Sequence, residues 1–313
     1  MIRIKESTKR HLNTVENLLK GADAIGQQGI DLLHDNDITF VKENQKADVG
    51  ISFHGDNVFG VSREKTILFK GEPPIYDLYF GIALSSHRYM NQFAAVMSTC
   101  IMDYKQGYHF VIPREEFTFV KSHFDRQKNS FLCMVLRNKK KAVRYNSMLP
   151  HHKKYKLYSN MEYRVKADKL FCDMLGKAYV SYGRGWDDRR FAGDIPDTYG
   201  QMDVFAEHKF SFVPENADIK GYITEKPINA MVCGSIPICY GPPDIGDYLP
   251  PGTYINGKDF SIKDLITEIK FMSDRTIQNY RNKIKMFVTS KQAEKFSSVT
   301  FAKIIMKVLE ENI

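Results

Sequence analysis

The apolar positions of this chain change period many times along its length. Ile2 to Lys5 alternates like a short strand, and His11 to Lys20 then carries Leu12, Val15, Leu18 and Leu19 at helical spacing. Asp48 to Phe53 and Thr66 to Phe69 read as buried strands. Tyr89 to Gln106 is expected to be helical and connective, and the charged, irregular stretch Phe117 to Asn129 marks a junction. A second alternation begins with the apolar run Phe131 to Leu136, followed by a candidate strand at Tyr155 to Tyr158 and a helix over Met161 to Leu175 that Gly176 ends. Ala178 to Tyr182, His208 to Val213 and Ile236 to Tyr240 are strand-like. Lys226 to Cys233 is a helix stopped by Gly234, Ile262 to Met272 is an amphipathic helix, and Phe301, Ile304, Ile305 and Val308 share one face of a last helix. Strands interleaved with helices in two successive sets predict two mostly parallel α/β halves. Ligands of such sheets bind beyond the carboxyl ends of the strands, which directs attention to the residues after Phe69, Tyr158, Tyr182, Val213 and Tyr240.

Composition narrows this picture in three ways. The 313 residues suffice for two ordinary domains. No apolar run approaches the roughly 20 residues that cross a bilayer. The N-terminus lacks a signal-type apolar core, so the chain as given is expected to be cytoplasmic. Five cysteines, none in a CxxC pair, argue against a disulfide framework or a zinc site and for reduced, mostly buried thiols. The net charge of +8 concentrates in Arg137 to Arg144 and His151 to Lys156. A solvated loop face is the plain reading of those runs. Attraction to anionic phosphate, on a nucleotide sugar or at a membrane surface touched peripherally, is the alternative. Nucleic acid is not expected as a partner.

The chemistry concentrates between His208 and Phe260, which reads as strand, polar loop, helix, strand and Gly-Pro turn. The loop holds Glu215, Asn216, Tyr222, Thr224, Glu225 and Lys226. Thr224 suits an N-cap and Pro227 a first helical turn. Backbone N–H groups at that helix start face an anion, Lys226 offsets phosphate charge, Glu225 accepts hydroxyls, and Tyr222 packs on a ring. The bland alternative is a capped helix with surface charges. Asp35-Asn36-Asp37 has the form of a metal–diphosphate motif but reads as a turn. His151-His152 lack partners at ligand spacing, so no metal site is expected.

Taken together these residues resemble the donor-binding signature of the α1,3/4-fucosyltransferases, glycosyltransferase family 10. The likeness runs in order through Lys209-Phe210, Glu215-Asn216, Tyr222-Ile223-Thr224-Glu225-Lys226, Ala230, Gly234, Ile236-Pro237-Ile238, Gly241-Pro242, Leu249-Pro250, Tyr254-Ile255 and Asp259-Phe260. Pro214 and Pro227 depart from it, standing where the family has Phe and a bulky apolar residue. Upstream, Ser159-Asn160, Arg164 and Tyr182-Gly183-Arg184 keep the family's order. Lys70-Gly71-Glu72, followed by Tyr76 to Gly81, resembles the segment whose glutamate is the family's proposed general base, although Pro73-Pro74 replace the usual residues after it.

The resemblance implies a GT-B fold, two Rossmann-like domains facing a central cleft. Residues 1–125 would hold the acceptor and 126–295 the nucleotide-sugar donor, with 296–313 a helix crossing back. It implies GDP-L-fucose as donor and a glycan acceptor, GlcNAc-containing for an α1,3-type linkage, in an inverting transfer. Glu72 would be the base. Arg164, Lys226 and Arg184 would meet the diphosphate, and Glu215, Asn216, Tyr222 and Glu225 would line the donor site. No cofactor is implied as required, a divalent cation being at most non-essential. Two rivals stay open: a transferase of this architecture with another sugar nucleotide, and a non-catalytic module that binds glycan or nucleic acid.

Overall fold

The computed structural model describes residues 1–7, 15, 19, 28–42, 44–53, 57–74, 87–101, 107–111, 113, 122–138, 158–186, 192–194 and 198–313. Two parallel sheets organise them. The first has strand order β2-β1-β3-β4-β5-β6, with β1 Ile2–Glu6, β2 Ile38–Phe40, β3 Val49–Ser52, β4 Thr66–Lys70, β5 Ala95–Ser98 and β6 Gly107–His109. The second has order β13-β12-β10-β7-β9, with β7 Ser130–Val135, β9 Tyr179–Tyr182, β10 His208–Phe212, β12 Ile236–Cys239 and β13 Ile255–Asn256. Every pairing within these two sheets is parallel. A small antiparallel pair, β8 Tyr158–Ser159 with β11 Ala217–Asp218, lies apart from both.

The helices used below are α1 Gln28–Asp35, α2 Met161–Leu175, α3 Thr198–Glu207, α4 Glu225–Val232, α5 Ile262–Phe271, α6 Asp274–Val288 and α7 Ser298–Asn312. In α2 the buried residues Met161, Arg164, Ala167, Asp168 and Phe171 recur at three- and four-residue steps, so one stripe faces the second sheet. Two members of that stripe are polar and carry partners. Asp168 accepts a 2.7 Å bond from the Tyr179 hydroxyl, and Arg164 donates to the Pro214 carbonyl. The helical period thus places a guanidinium beneath the loop that follows β10. Gly176 ends α2 in the left-handed region, with φ 56°.

One apolar core surrounds each sheet. Val15 and Leu19 are helical and fully buried in the first core, as their spacing predicts; the rest of His11 to Lys20 lies outside the described residues. Phe301, Ala302, Ile305, Val308 and Leu309 of α7 also belong to the first core, although α7 follows the second sheet in sequence. A Cβ on Gly29 of α1 would stand 2.6 Å from the Ser298 carbonyl oxygen, so α1 and the start of α7 meet with no room for a side chain. No helix of the described residues is long and apolar enough to cross a membrane.

Several expectations change. Of Tyr89 to Gln106, the described residues 89–101 are not mainly helical: beyond the helical turn His87–Met90 they contain β5, a fully buried strand between β4 and the edge strand β6. A strand buried on both faces reads as a continuous apolar run, which periodicity cannot separate from a buried helix. Strands β6 and β13 and helices α1, α3 and α6 are also not anticipated by the pattern. All five cysteines are free, four of them buried. Asp35 ends α1, and Asn36-Asp37 form the turn into β2, with Asp37 at φ 59°. The basic runs, apart from Arg137 and Asn138, and His151-His152 lie outside the described residues.

Candidate active site

In the second sheet, the chain passes from β7 to β9 on one side and from β10 to β12 on the other. The topological switch point therefore falls between β7 and β10, where the loops leaving the strands diverge and open a crevice. The loop leaving β10 there begins Val213-Pro214-Glu215-Asn216. It is pinned on several sides. The Glu215 amide donates to the Tyr240 carbonyl at 3.0 Å, and the Asn160 amide donates to the Asn216 carbonyl at 3.0 Å. The Asn160 side chain donates to the carbonyls of Glu215 and Tyr240 at 3.1 and 3.2 Å. Asn160 thus joins the ends of β10 and β12. The Ser-Asn pair of the sequence pointed to this position without revealing that work.

Glu215 is 2% exposed. Its carboxylate accepts from the Thr224 amide at 2.7 Å, and the Thr224 hydroxyl lies 2.9 Å from both of its oxygens. The Lys226 ammonium lies 2.7 Å from the Thr224 hydroxyl, 3.4 Å from Glu215 and 3.7 Å from Glu225. Burial pushes the Glu215 carboxyl up, against the pull of Lys226 and the Thr224 bonds. Burial alone would push the Lys226 ammonium down, but Glu215 and Glu225 outweigh it and the result is raised. Lys226 is therefore a firmly charged cation, close enough to Arg164 to feel its repulsion. Thr224 occupies the N-cap of α4 as expected, yet its side chain does not cap the helix. Its hydroxyl serves the Glu215–Lys226 pair instead.

Across from this cluster stands Glu72, two residues beyond β4. The Asn216 side-chain amide donates to Glu72 Oε2 at 2.8 Å, and the Tyr222 hydroxyl donates to the same oxygen at 3.4 Å. Asn216 Nδ2 and the Tyr222 hydroxyl are themselves 3.2 Å apart. Tyr222 is 1% exposed, and burial with the neighbouring Glu72 charge holds its phenol well above the ordinary range. A carboxylate from the first sheet and two donors from the second thus share one hydrogen-bonded group.

The loop meets the first sheet's connections twice more. The Ile101 amide donates to the Lys220 carbonyl at 2.9 Å, and His109 Nε2 donates to the Gly221 carbonyl at 3.0 Å. Gly221 has φ +80°, and a Cβ there would stand 2.6 Å from Ile101 Cγ1 and 2.9 Å from His109 Nε2. Gly221→Ala is expected to combine a left-handed backbone penalty with this clash and to lower stability by about 1–3 kcal/mol. A urea melt checks it, and a change below about 0.5 kcal/mol would show that the loop is not held here.

The sequence-predicted residues thus divide. Glu72, Asn216 and Tyr222 form one group; Glu215, Glu225 and Lys226 form another, with Arg164 beneath the start of the loop that follows β10. Arg164 is 1% exposed, so it supports the loop from inside rather than lying open at its surface. Arg184 is not brought to either group. It follows the edge strand β9, its side chain is 72% exposed, and it is ion-paired with Asp194.

Fold and loop together define the class: this is the two-sheet α/β architecture of the GT-B glycosyltransferases. The crystal structure of an alpha1,3-fucosyltransferase with GDP matches with TM-score 0.60 at 13% identity, over 100% of this chain and 91% of that one. An alpha-glucosyltransferase in complex with UDP and a 13-mer DNA matches with TM-score 0.61 at 11% identity, over 99% of each chain. Sequence then gives the particular family. The model of glycosyltransferase family 10 (fucosyltransferase), C-terminal part, matches residues 137–312, and the chain belongs to that family. An alpha-(1,4)-fucosyltransferase of Arabidopsis thaliana is 34% identical over 72 residues, 23% of this chain and 18% of that protein. An alpha-(1,3)-fucosyltransferase of Helicobacter pylori is 30% identical over 86 residues, 26% of this chain and 18% of that protein. The matched stretches thus span under a fifth of these two relatives.

Proposed function

We propose that this protein transfers L-fucose from GDP-fucose to a hydroxyl of a glycan acceptor, with inversion, and that the acceptor hydroxyl belongs to a GlcNAc-containing glycan in α1,3-type linkage. The observation that carries this reading is the 2.8 Å contact of Asn216, inside the family's donor signature, with Glu72, the carboxylate on the other side of the cleft. It supports the reading of Glu72 as the base.

In this reading Glu72 takes the acceptor proton as the hydroxyl attacks the anomeric carbon and GDP leaves from the opposite face. Lys226 offers its charge at the start of α4, where backbone N–H groups also face outward along the helix axis. Arg164 adds positive potential from below. Glu225, with a side chain 31% exposed, is reachable by ribose hydroxyls. Fixed cations and a helix start can stabilise departing diphosphate charge, so the reaction is assigned no required metal. The first sheet and its loops are assigned the acceptor and the second sheet the donor, with α7 returning to the first sheet.

The test is consumption of GDP-fucose, followed by mass spectrometry with a small glycan panel, with and without a chelator. Fucosylated GlcNAc-containing product, made equally well in the chelator, is the expected result. Turnover of another sugar nucleotide with none of GDP-fucose would overturn the donor assignment. Binding of glycan or RNA without any transfer would overturn the enzyme reading.

A further inference from the structure

Helix α6 has two unlike sides. Ile284, Phe287 and Val288 are buried in the second core, and Arg281 donates to the Phe124 carbonyl at 2.9 Å. That side packs on α4 and β12. The opposite side carries Arg275, Asn279, Asn282, Lys283, Lys285 and Met286, all exposed. Helical spacing sets Met286, 73% exposed, between Lys283 and Lys285. From Arg275 to Ala293 the chain holds five basic residues and no carboxylate. A groove beside Met286 is lined by Pro250, Pro251 and Phe287 together with Lys283 and Lys291. Asp125 reaches Lys285 at 3.8 Å from outside the helix, an exposed pair of small net strength. We propose that this side of α6 docks on a bilayer surface rich in anionic lipid headgroups, with Met286 entering below headgroup level and Lys283, Lys285 and Lys291 among the headgroups.

Charge complementarity names the occupant. A run of cations with no acid among them is drawn to a negatively charged leaflet, and each basic residue near it strengthens partitioning by about fivefold. Basic residues around an apolar point are the pattern of a helix that lies on a membrane. The unbranched Met286 thioether fits between disordered chains, while lysine stems lie along the apolar layer and keep their ammonium groups in water. Asn279, Asn282 and Thr289 on the same side carry no charge, so no acid on the helix opposes the contact. A soluble polyanion such as RNA would use the lysines but leave Met286 and the two prolines in water. The apolar centre therefore favours lipid. This surface is separate from the residues assigned to the transfer reaction.

The test is co-sedimentation of the full chain with phosphatidylcholine vesicles, with and without phosphatidylserine, at low and raised salt. Wild type is expected to bind the vesicles that contain phosphatidylserine, not those without it, and to be released by salt. The double change Lys283→Glu with Lys285→Glu should weaken binding by at least about twentyfold, since each reversed charge counts for about fivefold or more. Met286→Ser leaves the charge alone and should weaken binding by about three- to tenfold. These side chains are exposed, so thermal melts of both variants should match wild type. Absence of vesicle binding by wild type, or full binding by the double variant, would overturn the proposal. Full binding by Met286→Ser would show a purely ionic contact and overturn the insertion of the helix into lipid. Binding of a short single-stranded RNA without vesicle binding would assign the surface to nucleic acid instead.

Discussion

Glu72→Gln is expected to lower kcat by about 10²–10⁴-fold while leaving the fold and the donor KM nearly unchanged. The reasoning is geometric. A glutamine carbonyl oxygen can still accept from Asn216 Nδ2 at the position of Oε2, so the contact across the cleft survives the substitution. What is lost is the capacity to take a proton. Removing an interaction used only in the transition state lowers kcat and kcat/KM together. A GDP-release assay at saturating donor, with a thermal melt as control, reads both halves of the claim. A loss smaller than about tenfold would remove Glu72 from the role of base.

Glu215→Ala is expected to be the most destabilising single change in the loop after β10, at about 3–5 kcal/mol. Glu215 is 2% exposed and accepts from Thr224 and Lys226. Without it the Lys226 ammonium keeps Glu225, at 3.7 Å, and the weaker influence of Glu72 as counter-charges, and the Thr224 amide loses its acceptor. Breaking a buried pair from one side leaves the other charge uncompensated, which is why the loss exceeds the net worth of the pair. Glu215→Gln keeps the shape and one acceptor, so it should fall between wild type and alanine. Urea midpoints give the comparison. A loss under about 1 kcal/mol for the alanine variant would mean that the loop's order comes from elsewhere.

Much of this was legible in the chain, for identifiable reasons. The α2 boundaries followed from an apolar stripe with a glycine at its end, and β7, β10 and β12 from short apolar runs beside turn residues. The loop after β10 stood out because its polar residues are close in sequence. Burial defeated the reading at β5, where Ala95, Val96 and Met97 carry no period to read. Helix α6 hid behind its polar surface, with only Ile284, Phe287 and Val288 fully buried near its end. The contact of Glu72 with Asn216 joins residues 144 positions apart, and nothing local to either one announces it. The same holds for Arg184, whose pairing with Asp194 depends on how two loop residues fold onto each other. Local pattern named the residues; their partners, distant in sequence or set by loop geometry, appear only in the tertiary structure.

The return of α7 to the first core has a mechanical meaning. The chain crosses between the sheets once after β6 and again before α7, where Phe296 belongs to the second core and Phe301 to the first. A body held to another at two pivots keeps one easy motion, rotation about the line through both, while sliding and twisting are resisted. Any such swing must first break the bonds of Glu72 to Asn216, of Ile101 to Lys220 and of His109 to Gly221, so these three contacts are the latch on that hinge.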